Sequence, residues 1–225
     1  MPRPPHAHLH GHAAHHDHGS GHHHHPGGPE HRDHYGNPKD LKAYLKRLEG
    51  PARAGWQKPD AVVRALGLKP GQTVVEIGAG PGYFTLRLAK AVGKKGRVFA
   101  VEVEPKMIAI LRDRLERKKI ANVTPILASQ HDPRLPGGLA DLILVVNTFH
   151  HFPNGSAYMR VLKDSLKPGA RLVNVDFREG ELPVGPPAEH KLSRAAFLKF
   201  ASKAGFTIST EHSFLPYQYF VELKP

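Results

Sequence analysis

Between residues 73 and 222, short runs of aliphatic and β-branched residues alternate with stretches in which apolar residues return every three or four positions. Strand and helix in alternation at this spacing predict a mainly parallel sheet covered on both faces. The strands are expected at Thr73 to Ile77, Arg97 to Val103, Asn122 to Leu127, Asp141 to Val146 and Ala170 to Asp176. Between them the pattern predicts helices over Tyr83 to Val92, Lys106 to Lys118 and Ala157 to Leu166. Pro105 suits the first position of the second helix, and Lys167-Pro168-Gly169 ends the third. Ser193 caps a further helix, Arg194 to Ala204, which Gly205 stops. The last two strands, Phe206 to His212 and Tyr217 to Glu222, are so close in sequence that they must pair as an antiparallel hairpin. The expectation is therefore an α/β fold with seven strands, six of them parallel.

Upstream the rhythm changes. Leu41, Tyr44, Leu45 and Leu48 lie on one face of a short helix predicted over Pro38 to Leu48, and Gly50-Pro51 breaks it. Trp56-Gln57-Lys58-Pro59 then leads into a helix over Asp60 to Leu66. Earlier still, the first 35 residues carry 13 of the 18 histidines and only Leu9 among the branched aliphatics. Such a stretch cannot bury enough surface to offset its own ordering entropy, so 1–35 is expected to be a disordered tail. One domain over 36–225 remains, with 36–70 as a helical lid.

Composition removes several chemistries. With no cysteine there is no disulfide, no thiolate nucleophile and no Cys-ligated metal. The longest aliphatic run, Leu142 to Val146, is far short of the ~20 residues of a membrane helix. The start has no apolar core of a secretory signal, so a soluble cytoplasmic chain with no membrane partner is expected. Charge is uneven, at −1 over the first 35 residues and +13 over the rest. A body this basic leaves nucleic acid open as a partner. The positive residues are nonetheless spread, as in Arg112, Arg114, Arg117, Lys118 and Lys119 on one helix, which also suits a plain solvated face.

Candidate chemistry concentrates after the first strand, where the chain reads Val75-Glu76-Ile77-Gly78-Ala79-Gly80-Pro81-Gly82-Tyr83. Glycines here let a ligand approach the backbone and permit positive φ, and the next helix offers free N–H groups. The third glycine comes one residue too early for a dinucleotide loop, and no Lys-Ser/Thr follows as a nucleotide loop needs. Glu76 suits an ammonium better than a pyrophosphate, which disfavours a nicotinamide-dependent oxidoreductase. Glu102, in Val101-Glu102-Val103-Glu104, lies 22 residues past Gly80, where a ribose diol finds a carboxylate.

These residues resemble the class I, Rossmann-like, seven-stranded S-adenosylmethionine-dependent methyltransferases. The acid followed by G-x-G-x-G is matched by Glu76, Gly78, Gly80 and Gly82, and the similarity spans roughly residues 56–221. It implies that Glu76, Gly78, Ala79, Gly80, Gly82 and Tyr83 hold the methionine end of S-adenosyl-L-methionine, that Glu102 and Val103 meet the ribose, and that Asn147 also contacts the cofactor. The adenine amino group would fall to Asp132, or to Ser129 or Gln130 beside it.

The loop Asn147-Thr148-Phe149-His150-His151-Phe152-Pro153 borders the methyl group and the acceptor in that family, and it lacks the Asn/Asp-Pro-Pro-aromatic motif of nucleic-acid amine methylases. Bacterial enzymes with small-molecule or unassigned acceptors resemble the chain in more detail, through Trp56-Gln57-x-Pro59, Tyr83-Phe84-Thr85 and Leu215 to Phe220. A small-molecule acceptor is the expectation, with an RNA methyltransferase or a metal-handling protein as alternatives. Phe149 or Phe152 can wall the acceptor pocket, with Trp56 near its opening or buried as a core anchor. His150 or His151 could take a proton from an acceptor, an imidazole being suited to that near neutral pH. No metal site is expected in the core, whereas His22, His23, His24 and His25 can bind divalent metals nonspecifically.

Overall fold

The computed structural model describes residues 40–225, so the histidine-rich segment and the start of the first predicted helix lie outside the described residues. Seven strands form one sheet: β1 (Thr73–Ile77), β2 (Arg97–Glu102), β3 (Val123–Leu127), β4 (Ala140–Val146), β5 (Leu166–Phe177), β6 (Thr207–His212) and β7 (Gln218–Lys224). Their order is β3-β2-β1-β4-β5-β7-β6. The pairs β1/β2, β1/β4, β2/β3 and β4/β5 are parallel, while β7 is antiparallel to both β5 and β6. Six strands therefore point one way and β7 runs against them. The strand order reverses between β1 and β4, which opens a crevice at their C-terminal ends.

Among the described residues seven α-helices accompany the strands: α1 (Leu41–Glu49), α2 (Pro51–Gln57), α3 (Pro59–Ala65), α4 (Thr85–Val92), α5 (Pro105–Arg117), α6 (Gly155–Asp164) and α7 (Arg194–Lys203). The continuous apolar run of β4 explains why both faces of the sheet are covered. Ile143 and Val145 pack with Met159 and Leu162 of α6 and Phe197 of α7. Leu142 and Leu144 pack with Val62 of α3 and Leu88 of α4 on the other face. No helix among the described residues is long and apolar enough to cross a membrane.

Three elements differ from expectation. Gly50-Pro51 ends α1 as expected but also opens an unexpected helix, α2, because proline fits a first helical position whose N–H has no partner in any case. Lys58 then adopts a left-handed φ of 46°, which turns the chain sharply into Pro59 at the start of α3. Lys167-Pro168-Gly169, expected to end the helix over Ala157 to Leu166, lies within β5. The register slips there between Ala140↔Leu166 and Leu142↔Arg171, and an irregular stretch tolerates a residue without a ladder N–H.

Candidate active site

At the mouth of the crevice the glycines divide their work. Gly78 and Ala79 donate their N–H groups to the Val101 carbonyl, at 2.9 and 3.0 Å. A Cβ on Gly78 would stand 2.2 Å from Thr148 Oγ1, and one on Gly82 would stand 2.6 Å from Leu111 Cδ1. These two glycines serve close packing. A Cβ on Gly80 would meet nothing within 4 Å, so this glycine fronts open space. Gly82 does not line the cavity, a correction to its expected ligand contact.

The cavity measures about 1070 Å³, including its opening to solvent. Glu76 lines it with 3% of its surface exposed and accepts from Thr85 Oγ1 at 2.5 Å. Burial pushes its carboxyl from an ordinary value of 4.5 up to about 8, against the opposing pull of the Thr85 hydroxyl and the Arg53 charge. Arg53, from α2, lines the same cavity. Burial lowers its guanidinium to about 10, so it stays charged at neutral pH. Its Nε donates to Gln57 Oε1 at 2.5 Å, and its plane lies over the Tyr83 ring, 4.1 Å from the centroid. The buried Tyr83 hydroxyl has no hydrogen-bond partner among the described residues.

Glu102 Oε1 accepts from the N–H groups of Val103 and Glu104 at 2.7 and 3.0 Å, and Oε2 accepts from Gly80 N–H at 2.8 Å. The carboxylate thus holds the glycine loop against the end of β2. On the β4 side, Asn147 takes a left-handed φ of 52° and donates its N–H to Val175. Its Oδ1 accepts from Gln218 Nε2 at 2.5 Å, and Gln218 Oε1 accepts from Gln57 Nε2 at 3.2 Å. A buried polar chain therefore runs from Arg53 on the lid to the loop after β4. Val103, Thr148, His151 and Phe152 also line the cavity, with Phe152 stacked on Tyr158 at 4.1 Å.

Four other expected residues fall elsewhere. Phe149 is buried against Phe197 and Phe152, because the chain makes a 3-10 turn over Phe149–His151 that drives this ring into the core. Trp56 packs on Phe177, with centroids 5.5 Å apart, and does not line the cavity; its neighbour Gln57 is buried and bonds Arg53 and Gln218. Asp132 is exposed and accepts from Arg134 N–H at 2.7 Å, the local turn that Asp-Pro favours, while Gln130 lines the cavity. His150 stands behind His151, its Nδ1 held 3.0 Å from both carboxylate oxygens of Asp176. Sequence reasoning missed Arg53 and Tyr44, which line the cavity from the lid helices; for Arg53 the i, i+4 spacing to Gln57 was visible only to a reader who had placed α2.

A family model described as "Methyltransferase domain" matches residues 74–169, the span from β1 into β5 that builds this crevice. The chain is 28% identical to a SAM-dependent methyltransferase from Aquifex aeolicus, with a TM-score of 0.76 over 80% of this chain and 96% of that one. Residues 74–169 thus carry a methyltransferase domain, and the chain is similar to S-adenosylmethionine-dependent methyltransferases over most of its length. The family's cofactor is S-adenosylmethionine. Among curated relatives, the ubiquinone/menaquinone biosynthesis C-methyltransferase UbiE of Vibrio vulnificus is 30% identical over 112 residues, 49% of this chain and 43% of that protein. The chain thus matches less than half the length of that relative. The [4+2]-cyclase SpnF, 18% identical with a TM-score of 0.62 over 71% of this chain and 61% of its own, shares the fold alone. Within this methyltransferase fold, then, the site and not the architecture must carry the argument for activity.

Proposed function

We propose that the chain transfers a methyl group from S-adenosylmethionine to a small-molecule acceptor by in-line displacement. The observation that carries this reading is the pairing, in one glycine-fronted cavity, of a buried acid, Glu76, with a half-buried cation, Arg53. An amino acid end with ammonium and carboxylate matches that pair; a pyrophosphate does not. Two further features fit the cofactor: the open space before Gly80 and the unpartnered Tyr83 hydroxyl.

On this reading Glu76 takes the ammonium and Arg53 the carboxylate, each already oriented by Thr85 and Gln57. Glu102 receives a ribose hydroxyl. Three of its roughly four acceptor positions are already in use, so a second hydroxyl displaces the Gly80 N–H bond. Asn147, fixed by Gln218, contacts the cofactor beside the methyl group, and Gln130 replaces Asp132 at the adenine end. Residues 40–70 act as the lid, since Tyr44 and Leu48 of α1 wall the cavity with Arg53 of α2. When bound, the donor supplies a sulfonium methyl with a good leaving group, so alignment and exclusion of water carry much of the acceleration. The curated relative is named a C-methyltransferase of quinone biosynthesis, which favours a small acceptor over RNA for this chain as well.

The test is calorimetric titration of the full chain with S-adenosylmethionine, followed by incubation with methyl-labelled donor and fractionated cell extract. Saturable binding and label in a low-molecular-weight fraction are expected. No binding heat, or label appearing only in RNA, overturns the reading.

A further inference from the structure

On the reading above the cofactor engages one cation, Arg53, yet residues 36–225 carry a net charge of +13. Part of that excess gathers at the opposite end of the sheet. Lys90 near the end of α4, Lys94, Lys95 and Arg97 leading into β2, and Lys119 in the turn before β3 line one groove, which measures about 1100 Å³ with its opening to solvent. All five residues are exposed, and none of the five side chains makes a hydrogen bond or ion pair among the described residues. No acidic residue lines the groove. Like charges gathered in this way repel one another, and the fold supplies them no partner of its own.

Positive charge near a helix C-terminus is ordinary, and Lys90, Lys94 and Lys95 stand near the end of α4. That end is already served: Asn122 Nδ2 donates to the carbonyls of Ala89 and Gly93, at 2.9 Å each. Arg97 opens a strand and ends no helix. The floor of the groove holds Leu86, Ala89 and Ile120, buried or half-buried, and none of the exposed large apolar side chains lies in it. A face that docks on a membrane presents such side chains for insertion. No aromatic ring lines the groove to stack an unpaired base, and the Asn122 amide is taken, so no amide is left to read a base edge. What remains is a set of point charges, the chemistry that meets phosphates.

We propose that this groove docks the phosphodiester backbone of duplex nucleic acid without regard to sequence. Arg97 and Glu102 are the two ends of β2, roughly 17 Å apart at the usual rise of a strand, so a duplex in the groove lies away from the crevice. It tethers the enzyme and is not its acceptor. The proposal goes beyond the methyl-transfer reading and does not depend on it.

The test is fluorescence anisotropy of the full chain with a short labelled duplex, at pH 8 and with a chelator, so that the histidines are neutral and metal-free. Log affinity is expected to fall with log salt at a slope of about −4, as neutralising roughly one phosphate per lining cation implies. RNA and DNA duplexes of one sequence should bind alike. Lys95→Gln with Lys119→Gln is expected to lower affinity on the order of 10-fold and to flatten the slope by about 2. Lys199→Gln with Lys203→Gln removes the same charge from α7, outside the groove, and should leave both nearly unchanged. S-adenosylmethionine should bind equally to all three proteins, and no methyl label should enter the duplex. Equal losses in the two variants mean diffuse charge and overturn the groove. Tighter binding of the single strand, equal competition by poly-glutamate, or binding to phosphatidylserine vesicles with none to duplexes assigns another occupant and overturns the proposal too. Label in the duplex sinks the tether together with the small-molecule reading, whereas failure to bind S-adenosylmethionine contradicts only the cofactor reading.

Discussion

Glu76 is the residue whose chemistry changes most when the donor arrives. Alone in the cavity its carboxyl is pushed up to about 8, so at pH 7 it is mostly protonated. An ammonium beside it favours the charged form, and the proton leaves. Titration with S-adenosylmethionine at pH 7, in buffers of different ionisation heat, should therefore report release approaching one proton per site. Glu76→Gln should abolish the release and weaken binding. An unchanged proton count in that variant would falsify the ammonium assignment. Gly80→Val tests the neighbouring surface: its side chain enters open space, and its φ of 54° adds strain of about 1 kcal/mol. The expected result is a folded protein, by circular dichroism, that has lost the cofactor. Glu102→Ala should weaken binding roughly 10- to 100-fold, as the loss of charge-assisted hydrogen bonds implies. Part of that loss comes through the glycine loop, whose Gly80 N–H it releases. Glu76, Gly80 and Glu102 were legible in sequence because strand, loop and strand place them within 27 residues of one another. Arg53 was not, since it reaches the cavity from α2 and nothing local marks it.

At the scale of elements, the lid is joined to the sheet through Gln57 and Gln218, 161 residues apart in sequence and both fully buried. Gln218→Leu leaves Gln57 Nε2 and Asn147 Oδ1 buried without this partner. The unsatisfied groups should cost about 1–3 kcal/mol each, read as a lower denaturant midpoint. Adding Gln57→Leu removes the Nε2 orphan but leaves Arg53 Nε without its acceptor, so the double variant should fall short of the summed single losses; strictly additive destabilisation would mean the two amides are not coupled. The strands were readable because β4 is apolar on both faces and the helices around it are amphipathic. The lid was harder. Gly50-Pro51 carries a stop signal and a start signal in adjacent residues, and both act: α1 ends at Glu49 and α2 begins at Pro51. Within β5 the reverse holds, since pairing with β4 carries the strand through Lys167-Pro168-Gly169 against local preference.

For the molecule as a whole, the buried acid ties stability to pH. In the unfolded chain Glu76 ionises near its ordinary 4.5, whereas the folded protein keeps the proton until about 8. Between those values the folded state binds more protons than the unfolded state, so stability falls as pH rises through this window and levels off above it. The loss attributable to this one group is on the order of a few kcal/mol at most, since a tenfold change in proton affinity corresponds to about 1.4 kcal/mol. Bound cofactor should work in the opposite direction. Because its binding releases the proton, affinity rises with pH over the upper part of the window, and a ligand at 100 times its Kd adds about 2.7 kcal/mol to stability. Guanidinium midpoints measured from pH 5 to 8 should decline for the free protein and decline less, or not at all, with saturating S-adenosylmethionine. Glu76→Gln should remove that difference in slope, because a neutral amide has no proton to exchange. A free-protein profile equally steep in the variant would assign the pH dependence to other groups and leave Glu76 ionised in the folded cavity.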